Sequence, residues 1–182
     1  VEFCERVLGD DALGLKDFYP TFLKAWRRRE LALFRPSHFG ERTVVGAPLF
    51  FKDAKSWKSD EHPTRILTVG ERVPNVWCYL SDVVKFVDEW RYYVADGCVV
   101  DACWYQGENE DSIAPELWIE WPEGFSGAVD FGRLDTGEIA LVEAHAPFAC
   151  GWYGDDHENF ALWQSVAWEN MDYWFPKSSV AA

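Results

Sequence analysis

The stretch EWRYYVADGCVVDACWY, residues 89–105, constrains the fold more than any other part of the chain. Asp96-Gly97 is a dipeptide that closes two-residue β-hairpins, because both residues tolerate the positive φ that such a turn demands. The runs on either side are β-branched and aromatic, which suits a pleated, half-buried surface. A second hairpin follows in AVDFGRLDTGEIALVEAH, residues 128–145, with its turn at Asp135 to Gly137. Shorter strands are expected in APLFFKDAKSWKSD, where apolar residues between Pro48 and Asp53 lead to Lys52 at the strand's end, and in TRILTVG and NVWCYLSDVV.

Helical patterns bracket these strands. Residues 1–33 read as helix-rich, with Leu15, Phe18, Phe22 and Trp26 at helical spacing and Pro20 opening a turn or the helix. The basic run Arg27 to Arg29 then reads as a solvated helix face. Residues 108–125 read as a polar loop with a short helix after Pro115. DDHENFALWQSVAWENMDYWF is a closing helix that Asp156 can cap, with Phe160, Trp163 and Trp168 on roughly one face. Strands and helices mix without a regular βαβ rhythm, so the class is α+β.

Composition narrows the function classes. The 182 residues suit one domain or one of two lobes, and 48% hydrophobic content supplies a core. Eleven Trp, seven Tyr and thirteen Phe serve either burial or a ring-lined binding face, and burial explains more of them because aromatic rings bury so much area. A net charge of −14 repels phosphate backbones, so nucleic acid is not an expected partner. No stretch of about 18 apolar residues exists to span a membrane. Five scattered Cys without a CxxC pair argue against a disulfide framework and a structural zinc site, and point to a reducing cytoplasm. No signal peptide is visible, and the chain begins at Val1 rather than Met, which leaves room for a preceding segment.

The chemically capable residues are cationic in the first half and acidic in the second. Lys52, Lys55 and Lys58 follow a strand, where an ammonium can meet a phosphate as a point charge; three solvated lysines are the plain alternative. Glu89 and Arg91 alternate on one strand and so share a face. They can simply pair, or the carboxylate can take ribose hydroxyls while the guanidinium holds a phosphoryl oxygen. Asp130 and Glu143, on facing strands, can share a divalent cation, and His145 alternates with Glu143 toward the same side. A transition-metal site from His145, Cys150 and His157 has only loop-like spacing to support it.

That order of residues resembles the ATP-grasp fold, and the phrases DEWRYYVADGCVV, DFGRLDTGEIALVEAH and CGWYG look most like a compact clade of bacterial and phage ATP-grasp proteins. The resemblance runs from Pro48 to Trp168. It implies two small α+β lobes whose antiparallel sheets clamp a nucleotide cleft. It places an N-terminal helical remnant of a preceding domain at 1–47, the ATP-grasp domain at 48–176 and a tail at 177–182. By the same resemblance Lys52 and Lys58 bind phosphate, and Ser81, Asp82, Val83 and Val84 form the hinge that holds adenine. Glu89 takes the ribose, Arg91 the transferred group, and Asp130 and Glu143 the metal. The family's asparagine position holds His145. Magnesium prefers oxygen ligands, so the imidazole leaves several readings open: a metal held by two acids and water, a preference for manganese, nucleotide binding without catalysis, or a proton acceptor for the attacking group.

The resemblance further implies an ATP- and magnesium-dependent ligase, which phosphorylates a carboxylate and passes the acyl group to an amine, thiol or other nucleophile. In such a reaction Lys52 and Arg91 would neutralise developing charge, and the CGWYG region could help wall the site. Two other classes compete: a nucleotide-binding regulator that has lost the transfer step, and an aromatic-rich interaction module without nucleotide.

Overall fold

The computed structural model describes residues 15–38, 43–57, 59–110 and 112–175. They form two units. One holds Arg27–Val84 together with Lys16; the other holds Asp17–Trp26 and the chain from Lys85 onward. Each is organised around one antiparallel four-stranded sheet.

In the first unit β1 (Leu31–Phe34), β2 (Leu49–Asp53), β3 (Arg65–Leu67) and β4 (Cys78–Asp82) are arranged in the order β1-β4-β2-β3. Phe51, Leu67 and Cys78 are fully buried beside Val45 and Val73 on one side of the sheet. Because side chains alternate along a strand, Lys52 and its cross-strand partner Tyr79 belong to the other side. Residues 15–34 depart from the helical expectation. They contain a six-residue 3-10 turn, Thr21–Trp26, and then β1. Arg28 sits at φ 49°, a left-handed conformation that no α-helix continues through, so Arg27 to Arg29 is not a helix face. β1 gains a full ladder against β4, from Leu31↔Ser81 to Phe34↔Cys78, and this tertiary pairing outweighs local helix propensity.

In the second unit β5 (Phe86–Ala95), β6 (Cys98–Gly107), β7 (Gly127–Leu134) and β8 (Ile139–His145) are arranged in the order β6-β5-β7-β8. Asp96 and Gly97 adopt φ 48° and 73°, the two positive values of the expected hairpin turn. The second hairpin joins β7 to β8 through residues 135–138, also as expected. Helix α1 (His157–Glu169) is capped by the Asp156 carboxylate, which accepts from the amides of Glu158 and Asn159 at 2.8 and 3.1 Å. It buries Trp163 and Ala167 while Trp168 stays 45% exposed, so the apolar face is narrower than Phe160, Trp163 and Trp168 together. Trp163 packs with Tyr93, Ala95 and Ala128 and donates its indole N–H to the Gly127 carbonyl at 3.0 Å. Truncating a ring this buried costs about 3–5 kcal/mol in typical cores.

Residues 112–122 contain no helix, contrary to the expectation after Pro115. The sheet uses this segment's carbonyls instead. The Trp90 indole donates to Ser112 O at 3.0 Å and the Tyr92 hydroxyl to Pro115 O at 2.5 Å. A carbonyl engaged from outside, with a proline in the run, favours extended chain over a helical turn. The described cysteines, Cys78, Cys98, Cys103 and Cys150, are all free thiols. Among the described residues no helix is long and apolar enough to cross a membrane.

Candidate functional site

Register places Arg91, Asp130 and Glu143 in one row across three strands. Arg91 on β5 stands opposite Asp130 on β7, and Asp130 stands opposite Glu143 on β8. A bulge after Asp130 shifts the β7–β8 register, and Ala128↔His145 brings the imidazole to the same side. Gly132, the glycine of the DFG phrase, keeps β7 bare beside this row. A side chain there would run into the Phe86 ring.

Arg91 and Asp130 form a two-pronged ion pair. Arg91 Nε donates to Asp130 Oδ1 at 2.7 Å and Nη2 to Oδ2 at 2.6 Å, with both side chains almost wholly buried. Burial disfavours the guanidinium charge, but the Asp130 carboxylate more than offsets this and holds the Arg91 pKa above its ordinary value. A third Arg91 donor, Nη1, reaches Gly151 O at 3.4 Å. Two of the five guanidinium N–H groups remain.

His145 Nε2 lies 3.4 Å from Asp130 Oδ2 and 3.1 Å from Glu143 Oε1. Burial alone would push its pKa down, yet Glu143 and Asp130 reverse the sign and raise it to about 9. At neutral pH the cluster therefore holds two acids and two bases, and the imidazolium bridges the carboxylates. The ligand atoms of Asp130, Glu143 and His145 all lie within 4.8 Å of one another. Two carboxylate oxygens are hard donors that magnesium or manganese accepts, and an imidazole tilts the set toward manganese. The donor set thus fits a divalent ion, with the condition that His145 must release its Nε2 proton to act as a ligand.

The sequence pointed to Lys52, Glu89, Arg91, Asp130, Glu143 and His145, and the last four meet in this cluster. Glu89 alternates with Arg91 on β5, and its charge acts on the Tyr105 hydroxyl along with those of Asp130 and Glu143. Burial first, then these carboxylates, raise the Tyr105 pKa, against Arg91. Lys52 is buried on β2 in the other unit. Ser81 and Asp82 end β4, and Val83 and Val84 lead to the point where the units change over at Lys85. Lys58 lies outside the described residues. Cys150, near the cluster, is held at a thiol pKa of about 12, chiefly by burial.

One participant, Tyr105, went unread in the sequence. Tyr105 was accessible through register, since Arg91↔Cys103 sets Tyr105 two residues on toward the same face. Tyr153 and the Gly151 carbonyl lie in the CGWYG phrase expected to help wall the site, and they reach Arg91 because the loop before α1 folds back. The unit of β1–β4 also buries Lys16, whose Nζ lies 6.0 Å from the Trp57 ring centre.

A family model described as an ATP-grasp domain, family 2 of its clade, matches residues 43–162, well over half of the chain. A solved structure, N5-carboxyaminoimidazole ribonucleotide synthetase from Thermotoga maritima, is similar at 13% identity and a TM-score of 0.34, over 78% of this chain. The chain spans only 40% of that protein. No curated protein matches the sequence.

Proposed function

The chain belongs to this ATP-grasp domain family, and from that premise we propose that it binds ATP with a divalent cation and uses it to activate a carboxylate for attack by a nucleophile. The observation that carries this reading is the row Arg91–Asp130–Glu143, with His145, in the matched region, buried except for the partly exposed Glu143. A cluster of this kind offers charge of both signs at fixed positions, which phosphoryl transfer needs more than covalent chemistry.

The proposed reaction has two steps. A carboxylate oxygen of the substrate attacks the γ-phosphorus of ATP, and ADP leaves. An amine, thiol or other nucleophile then attacks the acyl carbon, loses its proton, and phosphate leaves. Asp130 and Glu143, with His145 once deprotonated, would hold the magnesium or manganese, which supplies positive charge against the phosphates. Arg91 contributes its remaining N–H groups to a phosphoryl oxygen, and its two bonds to Asp130 hold that carboxylate in place. Glu89 is assigned to the ribose hydroxyls. In the other unit Lys52, and Lys58 in sequence, are assigned to phosphate oxygens, and the backbone of Ser81, Asp82, Val83 and Val84 to adenine.

A second reading has its own support. His145 already bridges the two acids as a cation, and three of the five Arg91 donors are engaged. A site so balanced suits a nucleotide-binding regulator with reduced transfer activity. Thermal shift with ATP and magnesium or manganese is the first test, because a ligand at 100 times its Kd stabilises the native state by about 2.7 kcal/mol. No shift at millimolar nucleotide, supported by silent calorimetry, rejects both nucleotide readings and leaves an interaction module. Where binding is seen, ADP release across a library of carboxylates and amines separates ligase from regulator.

A further inference from the structure

Arg91 is held by more than its ion pair. Its guanidinium carbon lies 4.9 Å from the ring centre of Tyr105 and 5.1 Å from that of Tyr153, and the two rings are 5.2 Å apart. Tyr105 arrives on β6 and Tyr153 on the loop before α1. That loop is tied to β5 by one hydroxyl. Tyr93 donates to Gly151 O and accepts from the Tyr153 amide, each at 2.8 Å. Trp152 backs the same anchor, its ring 4.2 Å from that of Tyr93. Gly151 O is also the third acceptor for Arg91. Loop and guanidinium therefore share their supports.

Tyr153 is 50% exposed, so its ring is not filling a core. What it covers is a cation that is itself 4% exposed. A ring near a guanidinium attracts it through the ring quadrupole, by about 0.5–2 kcal/mol depending on solvent access. A planar ion contacted by rings keeps its in-plane edge for hydrogen bonds, and Asp130 takes one side of that edge.

We propose that Tyr153, together with Tyr105, is a positioning residue: the two rings hold the Arg91 guanidinium in the one orientation that grips Asp130 and leaves its remaining N–H groups for an anionic ligand such as a phosphoryl group. The identity of the ligand rests on the nucleotide reading above; the holding of Arg91 does not.

The test compares Tyr153→Phe, which keeps the ring, with Tyr153→Leu, which keeps apolar bulk and loses the quadrupole. The first readout is hydrogen exchange at Arg91 Nε in ligand-free protein, followed by arginine side-chain NMR. Tyr153→Phe retains wild-type protection, and Tyr153→Leu exchanges about tenfold faster. The second is calorimetric affinity for ATP with magnesium, about fivefold weaker in Tyr153→Leu and within about twofold of wild type in Tyr153→Phe. Wild-type exchange in Tyr153→Leu overturns the proposal. So does a Phe variant that behaves like Leu, since the hydroxyl rather than the ring would then matter. Unchanged ATP affinity in Tyr153→Leu overturns the ligand-directed half. A wild-type protein that binds no ATP defeats the nucleotide reading, while the exchange measurement still decides what Tyr153 does.

Discussion

Two arginine–aspartate pairs join β5 to β7 from opposite faces of the same sheet. Arg91–Asp130 lies on one, and Arg133–Asp88 on the other. Both aspartates are buried to about the same degree. The arginines differ: the Arg133 side chain is 40% exposed and rests 5.9 Å from the Trp90 ring centre, whereas that of Arg91 is 5% exposed. Asp88 also accepts the Asn109 backbone amide at 3.0 Å, so its charge is answered locally and the pair faces a cleft of about 550 Å³. On the other face Asp130 is shared with His145, and Glu143 adds a second acid. An arginine–aspartate bridge between strands is therefore not what marks the candidate site. The mark is a second acid and a histidine brought against a nearly buried cation.

The largest expected difference between the faces is in stability. Asp130→Asn leaves Arg91 charged and buried without its counterion, which costs about 3–5 kcal/mol. Asp88→Asn costs about 1–2 kcal/mol, because Arg133 can turn to water. Urea denaturation of the two variants measures this, and equal losses would remove the distinction.

Next in size is a pH dependence confined to one face. The folded-state pKa of His145 is raised to about 9, above an unfolded value of about 6.5. Its contribution is fully present below about pH 6.5, drains as the pH rises, and is gone once the pH passes about 9. The contribution is on the order of 3 kcal/mol. In the absence of nucleotide and divalent ions, melting curves should fall more steeply between these limits for wild type and Asp88→Asn than for His145→Gln. Parallel slopes for wild type and His145→Gln would count against the imidazolium bridge.

Ligand binding gives a smaller separation. Glu143→Gln should weaken magnesium-dependent ATP binding by about tenfold, the scale on which groups supporting a metal site act. His145→Asn, which restores an oxygen donor, should keep or improve it, and Asp88→Asn should leave it alone. Magnesium titrations at fixed ATP decide the point; an unaltered Glu143→Gln would detach the acids from the cation. The smallest effect belongs to Arg133→Lys, about 0.5 kcal/mol by chemical denaturation, as for a partly exposed pair. Arg91→Lys should lose clearly more, since one ammonium cannot reproduce the two-pronged contact.

Much of this architecture is legible in local chemistry. Asp96-Gly97 closes its hairpin because the turn's backbone angles select those residue types, and Asp156 caps α1 because a short carboxylate satisfies the first free amides. Once the hairpins are accepted, a period of two places Asp130 beside Glu143 and brings His145 to their side. Local chemistry misleads where a distant partner competes with it. Residues 31–34 carry helical pattern but gain a ladder from β4, and residues 112–122 surrender carbonyls to Trp90 and Tyr92 rather than winding into a helix.

By itself, then, the order of residues determined which side chains share a strand face, because alternation and turn geometry act within a few residues. Only the tertiary structure decided that the Asp130 carboxylate is taken by Arg91 on both oxygens, and that His145 stands between two acids as a cation. It alone brought Tyr153 over the guanidinium. Those outcomes depend on burial and on which chain segments close over the sheet, and a charge's partner and protonation follow from the water removed around it.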